Sequence, residues 1–68
     1  MVQVESEAIL DIDYVPATST LFVRFIEGDW YSYFAVPAPV HRAFLQADSY
    51  GRFFHDHIRD RYLYRRGR

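Results

Sequence analysis

Hydrophobic and polar residues alternate along the first half of the chain with the two-residue period of β-strands. Residues 8–15 predict a half-buried strand in which Asp11 and Asp13 lie on the polar side. Residues 21–27 and 30–36 predict two further strands, and the last of them is rich in the aromatic side chains that favour pleated sheets. Turn-forming residues separate these segments, so the pattern indicates an antiparallel meander.

The spacing of hydrophobic residues changes to a helical period after Pro39. Pro39 suits the first turn of a helix, because the N–H that it lacks would have no partner there. This first helix is predicted to extend to Ala47. Ser49 is a suitable N-cap for a second helix over about residues 50–59. The order β-β-β-α-α predicts an α+β fold in one domain, residues 1–68, with both helices packed on one face of a three-stranded antiparallel sheet.

Gly28 predicts how the second and third strands pair. A glycine at the first position of a two-residue loop, here with Asp29, is typical of a type II′ hairpin. That loop would place Val23 opposite Phe34, on the face that the helices cover. The predicted core then consists of Leu21, Val23, Phe25, Phe34, Val36, Phe44, Phe54 and Ile58.

Tyr31 and Tyr33 are expected on the opposite, open face of the sheet, together with Arg24. Two tyrosines beside an arginine on an open sheet form a layout that stacks nucleobases. An alternative is that both tyrosines only pack the sheet and lie under the C-terminal tail. A register shifted by one residue would also bury them, and it would expose Trp30 and Phe34.

Charge is divided unevenly along the chain, whose formal net charge is −1. Residues 1–34 hold six acidic residues and one arginine (−5), whereas residues 35–68 hold seven arginines and three acidic residues (+4). This division indicates either an anion-binding face or two halves that pair with each other. All eight basic residues are arginine. Arginine suits phosphate and stacked bases better than lysine, although the composition of the source genome explains its use equally well.

Most of these arginines lie near the C-terminus, where residues 61–68 form a basic and aromatic tail that is either docked or loose. The combination of positive charge and flat rings is the one that phosphates and bases require. The acidic residues of the first half could instead neutralise the charge internally. The clustered residues are Arg52, Arg59, Arg61, Arg65, Arg66 and Arg68, with Tyr62 and Tyr64 between them.

Several classes of protein are excluded by what the sequence lacks. There is no cysteine, hence no disulfide or thiolate site, and no hydrophobic run long enough to span a membrane. His55 and His57 would point away from each other on a helix, so no metal site is expected. No catalytic motif is present. We expect a soluble cytoplasmic domain without cofactor, metal or enzymatic activity.

The chain resembles the KTSC domain family over about residues 6–66. This family is named for its occurrence at the C-terminus of some lysyl-tRNA synthetases and includes small free-standing bacterial proteins. The resemblance implies the fold described above, and the synthetase association implies RNA binding as a possible role, although the family's function is not established. Leu63 differs from the family, which usually has proline between the last two tyrosines. The matching residues are Ile9, Tyr14, Pro16, Leu21, Val23, Phe25, Gly28, Tyr31-Ser32-Tyr33-Phe34, Val36-Pro37, Gly51-Arg52-Phe53-Phe54, His57-Ile58, Tyr62 and Tyr64.

Two hypotheses of function follow. The first is a small binding module for RNA or single-stranded nucleic acid. The second is a protein–protein interaction module that docks a partner or a second copy through the exposed aromatic face. The sequence leaves the partner and the oligomeric state open. The candidate nucleic-acid-binding residues are Arg24, Tyr31, Tyr33, Arg52, Arg59, Arg61, Tyr62, Tyr64, Arg65 and Arg66.

Overall fold

The computed structural model describes residues 9–68, which form an antiparallel sheet and two helices. The start of the first predicted strand, Ala8, lies outside the described residues. The sheet order is β1-β2-β3-β4, and the predicted α+β meander followed by two helices is confirmed. The elements are β1 (Ile9–Val15), β2 (Thr20–Phe25), β3 (Trp30–Tyr33), α1 (Ala38–Leu45), α2 (Tyr50–His57) and β4 (Tyr64–Arg66).

The C-terminal tail is docked as a fourth strand, which the sequence did not predict. In β4, Tyr64 lies opposite Tyr33 and Arg66 lies opposite Tyr31. The chain is held at both ends of this short strand, since the N–H of Phe34 donates to the Leu63 carbonyl (3.0 Å) and the N–H of Gly67 donates to the Trp30 carbonyl (2.6 Å). All three residues of β4 are exposed, so the strand shows no alternation of buried and exposed side chains. It is defined by its backbone pairing with β3.

The β2–β3 hairpin turns through residues 26–28, and the predicted two-residue loop is wrong. The N–H of Gly28 donates to the Phe25 carbonyl (2.8 Å), and the N–H of Phe25 donates to the Asp29 carbonyl (3.0 Å). Gly28 has a φ of +100°, as required at the end of a three-residue loop that closes with a glycine bulge.

This longer loop displaces the strand pairing by three residues, so that Arg24 lies opposite Trp30 instead of Tyr33. Because side chains alternate between the two faces, an odd displacement exchanges the faces of the whole third strand. Tyr33 therefore enters the core, where it is 4% exposed, and Phe34 leaves it with 37% of its surface exposed. The expectations that Phe34 is buried and that Tyr33 is open are both wrong.

The rest of the predicted core is largely correct. Six of its members are buried, namely Leu21, Val23, Val36, Phe44, Phe54 and Ile58. Phe25 is half-buried and packs against this cluster. Val36 is fully buried although Phe34 is not, because β3 ends at Tyr33 and Ala35 adopts a φ of +59° that breaks the strand alternation.

Both helices begin as the sequence predicts. Pro39 lies in the first turn of α1, and the Ser49 hydroxyl caps α2 by accepting a hydrogen bond from the N–H of Arg52 (3.2 Å). The ring of Phe44 on α1 stacks on Phe53 of α2 at 5.3 Å. On α2, the ring of Phe54 meets Tyr33 edge-on at 5.4 Å, and this contact joins the helices to the sheet.

Candidate functional site

An open aromatic cleft of about 390 Å³ lies between the β2–β3 hairpin and the segment that follows α2. Its volume is at the lower end of the range for small-molecule sites, about 300–1,000 Å³. We call it the aromatic cleft. Its lining residues are Phe25, Glu27, Tyr31, Tyr33, Phe54, Arg59, Asp60 and Tyr64.

The cleft exists because α2 is short. A helix of eight residues is only about 12 Å long, and α2 ends at His57. The ring of Phe54, on α2, covers Tyr33, and its centre lies 5.3 Å from that of the Phe25 ring. Tyr31, which is next along the same face, is only half-buried. The end of the sheet near the hairpin therefore stays open on the helix side.

Three tyrosine rings form the sheet wall of the cleft. Tyr64 lies 5.5 Å from Tyr33 in a stacked arrangement and 6.1 Å from Tyr31 in a tilted one. Tyr64 is 58% exposed, so it keeps ring surface open to a ligand. Phe25 supports Tyr31 with an edge-to-face contact at 5.4 Å. These contacts hold the rings in position before any ligand arrives.

Tyr33 is the most buried of the residues that line the cleft, with 4% of its surface exposed. Burial, together with the neighbouring Tyr64 and Tyr31, raises the pKa of Tyr33 to about 12. The phenol is therefore neutral at physiological pH and can donate as well as accept a hydrogen bond. Within residues 9–68 it has no hydrogen-bond partner.

The charged groups of the cleft are Glu27, Arg59 and Asp60. In the described part of the chain, none of the three belongs to an ion pair. Arg66, beside Tyr31 in the sheet register, differs because its guanidinium donates to Asp29 at 2.6 Å. That hydrogen bond raises the pKa of Arg66 further above its ordinary value. The cleft thus carries both signs of charge, in groups that form no ion pair within residues 9–68.

The opposite face of the sheet is not a tyrosine platform. Arg24 lies there, and its Nε donates to Asp11 at 2.6 Å while its guanidinium lies 5.7 Å from the Trp30 ring. The expectation that Arg24 shares a face with Tyr31 and Tyr33 is wrong, because the register of the hairpin separates them.

Arg68 covers the same opposite face. Its guanidinium lies 4.2 Å from the ring of Phe22 and 4.5 Å from the ring of Trp30, and it binds the carboxylate of Asp13. Gly67 allows the chain to reach this position, with a φ of +106°. Its carbonyl also accepts a hydrogen bond from the buried Ser32 hydroxyl at 2.7 Å. The aromatic rings of this face are therefore occupied within the molecule.

The structure brings together only some of the residues predicted for the site. Tyr31, Tyr33, Tyr64 and Arg59 meet in the aromatic cleft. Arg65 lies opposite Ser32 and so belongs to the other face of the sheet. The remaining candidates lie elsewhere: Arg24 at the opposite face, Arg66 beside Asp29, Arg52 on α2, and Arg61 with Tyr62 in a shallow groove against α1.

Sequence reasoning missed four residues of the cleft. Phe25 and Phe54 were assigned to the core alone, and Glu27 and Asp60 were assigned no role in the site. A three-residue reading of the hairpin would have placed Phe25 and Glu27 next to the tyrosines, since it puts Tyr31 on the helix side. No sequence signal connects the hairpin to Asp60.

Two further features bear on the class of protein. Among residues 9–68, no three histidine, aspartate or glutamate side chains come together as a metal site would require. In the same range, neither helix is long and hydrophobic enough to cross a membrane. The fold and the cleft define a small α+β domain with an open aromatic cleft beside its core.

This chain belongs to the KTSC domain family, whose model matches residues 5–62. It is similar to the crystal structure of a KTSC domain protein from Yersinia pestis, with a TM-score of 0.79 and 40% sequence identity over 84% of this chain and 80% of that one. The family resemblance and the α+β fold predicted from the sequence are thereby confirmed.

Relatives of two sizes are found. A protein of Tsukamurella paurometabola is 40% identical over 91% of this chain and 92% of its own length. A lysine–tRNA ligase of Nostoc sp. is 39% identical over 75% of this chain, which corresponds to only 9% of the ligase. The domain therefore has counterparts both as a small protein and as a minor segment of a large enzyme.

Proposed function

We propose that this domain is a non-enzymatic binding module for RNA or single-stranded nucleic acid, and that one unstacked base enters the aromatic cleft. The observation that carries the proposal is the position of the exposed Tyr64 ring beside Tyr31 and beside Arg59, which has no ion-pair partner within residues 9–68. Single-stranded bases are bound by stacking on aromatic rings, with arginine supplying positive charge.

The surface arginines support the same proposal. Five arginines have no ion-pair partner among residues 9–68 and are exposed, so each is available to a phosphate. These are Arg42, Arg52, Arg59, Arg61 and Arg65. The lysine–tRNA ligase of Nostoc sp. is by its name an enzyme that acts on tRNA, and a similar segment within it fits a domain that contacts RNA.

The test is a titration of the isotope-labelled domain with short RNA and DNA single strands, followed by NMR at about 50 mM and about 200 mM salt. We expect shifts centred on the cleft. Tyr64→Ala and Tyr31→Ala should each weaken binding by about 1–3 kcal/mol. Tyr50→Ala is the matched control, because Tyr50 packs on Phe44 away from the cleft.

Removal of a charge should act differently from removal of a ring. Arg61 is exposed and lies outside the cleft, so Arg61→Ala should weaken the binding of all sequences alike and lower the slope of log affinity against log salt by about one unit if Arg61 contacts a phosphate. Unchanged spectra with both RNA and DNA at the lower salt concentration would contradict the proposal.

A second candidate function is protein interaction, and one observation favours it. Leu63 is 82% exposed and stands directly before β4, the short strand at one edge of the sheet. An exposed hydrophobic side chain beside an open strand edge is suited to docking another chain. In this case Leu63→Ser should abolish concentration-dependent association or partner binding, and salt should have little effect.

A further inference from the structure

The aromatic cleft has acidic, basic and neutral polar groups around its rings. Glu27 and Asp60 supply two carboxylates, Arg59 supplies one guanidinium, and Tyr33 supplies a neutral hydroxyl. The three charged groups have no ion-pair partners in the described part of the chain. The Tyr33 side chain is 4% exposed, and its hydroxyl, which forms no hydrogen bond within residues 9–68, is not a buried unpaired atom and so is accessible from the cleft. The cleft thus presents to one ligand several hydrogen-bonding groups that have no partner among residues 9–68.

These groups suit the edge of a base better than a phosphate. Two carboxylates against one guanidinium give the cleft a formal charge of −1, which disfavours an anion between them. Carboxylates only accept hydrogen bonds when ionised, and they require donors on the ligand. A base supplies such donors on its edge, while its flat surface stacks on Tyr31 or Tyr64.

The four bases of RNA differ in the donors that they present. Guanine has two adjacent donors on its Watson–Crick edge, N1–H and N2–H, next to the acceptor O6. Two parallel donors match the two oxygens of one carboxylate, and O6 matches an arginine. Adenine and cytosine each present one exocyclic amine donor beside a ring acceptor, and uracil presents one donor between two acceptors.

We propose that the aromatic cleft selects guanine among the bases of a single strand, an inference that rests on the proposed function. The carboxylate of Glu27 or Asp60 accepts N1–H and N2–H, and Arg59 donates to O6. The base stacks on the ring of Tyr31 or on that of Tyr64, which are tilted by 43° to each other. The phosphates of the strand lie outside the cleft, where exposed arginines can reach them.

The experiment compares RNA pentanucleotides that are uridine at every position except the centre, which is guanosine, adenosine, cytidine, uridine or inosine. A bidentate contact discriminates by about 1–3 kcal/mol, which corresponds to about 5- to 150-fold in affinity. We therefore expect the guanosine strand to bind at least about 5-fold more tightly than the other three natural strands. Inosine lacks the N2 amine, so its strand should lose most of this preference.

Substitutions in the cleft identify the groups responsible. Glu27→Gln and Asp60→Asn each replace one acceptor oxygen by a donor, and at least one of them should abolish the preference for guanosine, measured as the ratio of the affinities for the guanosine and uridine strands. Each change also removes a negative charge and should strengthen the binding of every strand alike, so the ratio is the readout. Both side chains are exposed, so neither change should unfold the domain. Asp48→Asn is the matched control, because the carboxylate of Asp48 lies outside the cleft.

The outcomes separate this inference from the function on which it rests. If all five strands bind within twofold of one another, the guanine selection is wrong and nucleic-acid binding stands. Equal binding of the inosine and guanosine strands would refute the paired contact to N1–H and N2–H. If no strand binds, both the selection and the proposed function are overturned.

Discussion

Leu21 lies directly opposite Tyr33 in the pairing of β2 and β3, and Tyr64 lies opposite Tyr33 on its other side. The three side chains therefore form one row across the sheet, on the face that carries α2. Leu21 is completely buried, Tyr33 is nearly so, and Tyr64 is mostly exposed. The hydrophobic core and the aromatic cleft are thus two ends of one row, and any change in Tyr33 acts on both.

The observed strand register predicts different losses of stability when two phenylalanines, Phe44 and Phe34, are truncated to alanine. Phe44 is fully buried, so Phe44→Ala should lower the free energy of unfolding by about 3–5 kcal/mol. Phe34 is 37% exposed and lies outside the core cluster, so Phe34→Ala should lower it by only about 1–2 kcal/mol. Denaturant unfolding of the two variants measures both values. Similar losses in the two variants would place Phe34 in the core and contradict the observed register.

The hairpin loop gives a second prediction. Gly28→Ala should destabilise the domain by about 1–2 kcal/mol, because alanine is strained at positive φ. No atom lies within 4 Å of a Cβ added at this position, so the loss reflects backbone strain alone. Gly28→Asn should lose less, since asparagine adopts positive φ more readily. An alanine variant with an unchanged unfolding midpoint would show that the loop does not need glycine.

The same glycine explains why the fold could be predicted from the sequence and the face of the tyrosines could not. Gly28 fits either the first position of a two-residue loop or the last position of a three-residue loop. The third strand does not decide between them, because Tyr33 and Phe34 are both large and aromatic. Leu21 and Val23 were placed correctly, since their strand is hydrophobic on that face in either register.

Other parts of the structure carried clearer or weaker sequence signals. The cap of α2 was predictable because Ser49 stands directly before the helix and has the side chain to accept its free N–H. The fourth strand was not, because Tyr64 to Arg66 are all exposed and depend on backbone bonds to β3. Asp60 reaches the cleft only through the tertiary arrangement.

The contact of Arg68 with Asp13 gives a pH-dependent prediction. The hydrogen bond from Arg68, followed by that from the backbone N–H of Tyr14, lowers the pKa of Asp13 from its usual 3.8. A folded-state pKa below the unfolded one gives stability that is present above about pH 4 and lost as the pH falls through the folded value. Both side chains are more than a third exposed, so the contribution should be about 1 kcal/mol or less.

Trp30 reports this contact, because it is the chain's single tryptophan and lies 4.5 Å from the Arg68 guanidinium. Its fluorescence should change as the solution is acidified below about pH 4, while the fold persists. Asp13→Asn should reduce that change, and Arg68→Ala should alter the emission already at neutral pH. Identical acid titrations of the wild-type protein and both variants would show that the tail does not hold this position in solution.

The final prediction concerns the Tyr33 hydroxyl at high pH. Burial raises its folded pKa to about 12, whereas its unfolded pKa is 10.0. Because the folded state holds this proton more tightly, its contribution to stability is complete below about pH 10 and is lost as the pH rises toward about 12. The loss over this interval should be about 2 kcal/mol. Tyr33→Phe removes the titrating group and keeps the ring against Phe54, so the variant should resist alkali better than the wild-type protein.

Two measurements test this prediction: the free energy of unfolding as a function of pH, and the tyrosinate absorbance of the folded domain. In the second, the variant should lack the absorbance change that the wild-type protein shows near pH 12. Parallel stability curves for the two proteins through this interval would mean that the folded and unfolded states hold this proton equally, and that folding does not raise the pKa of Tyr33.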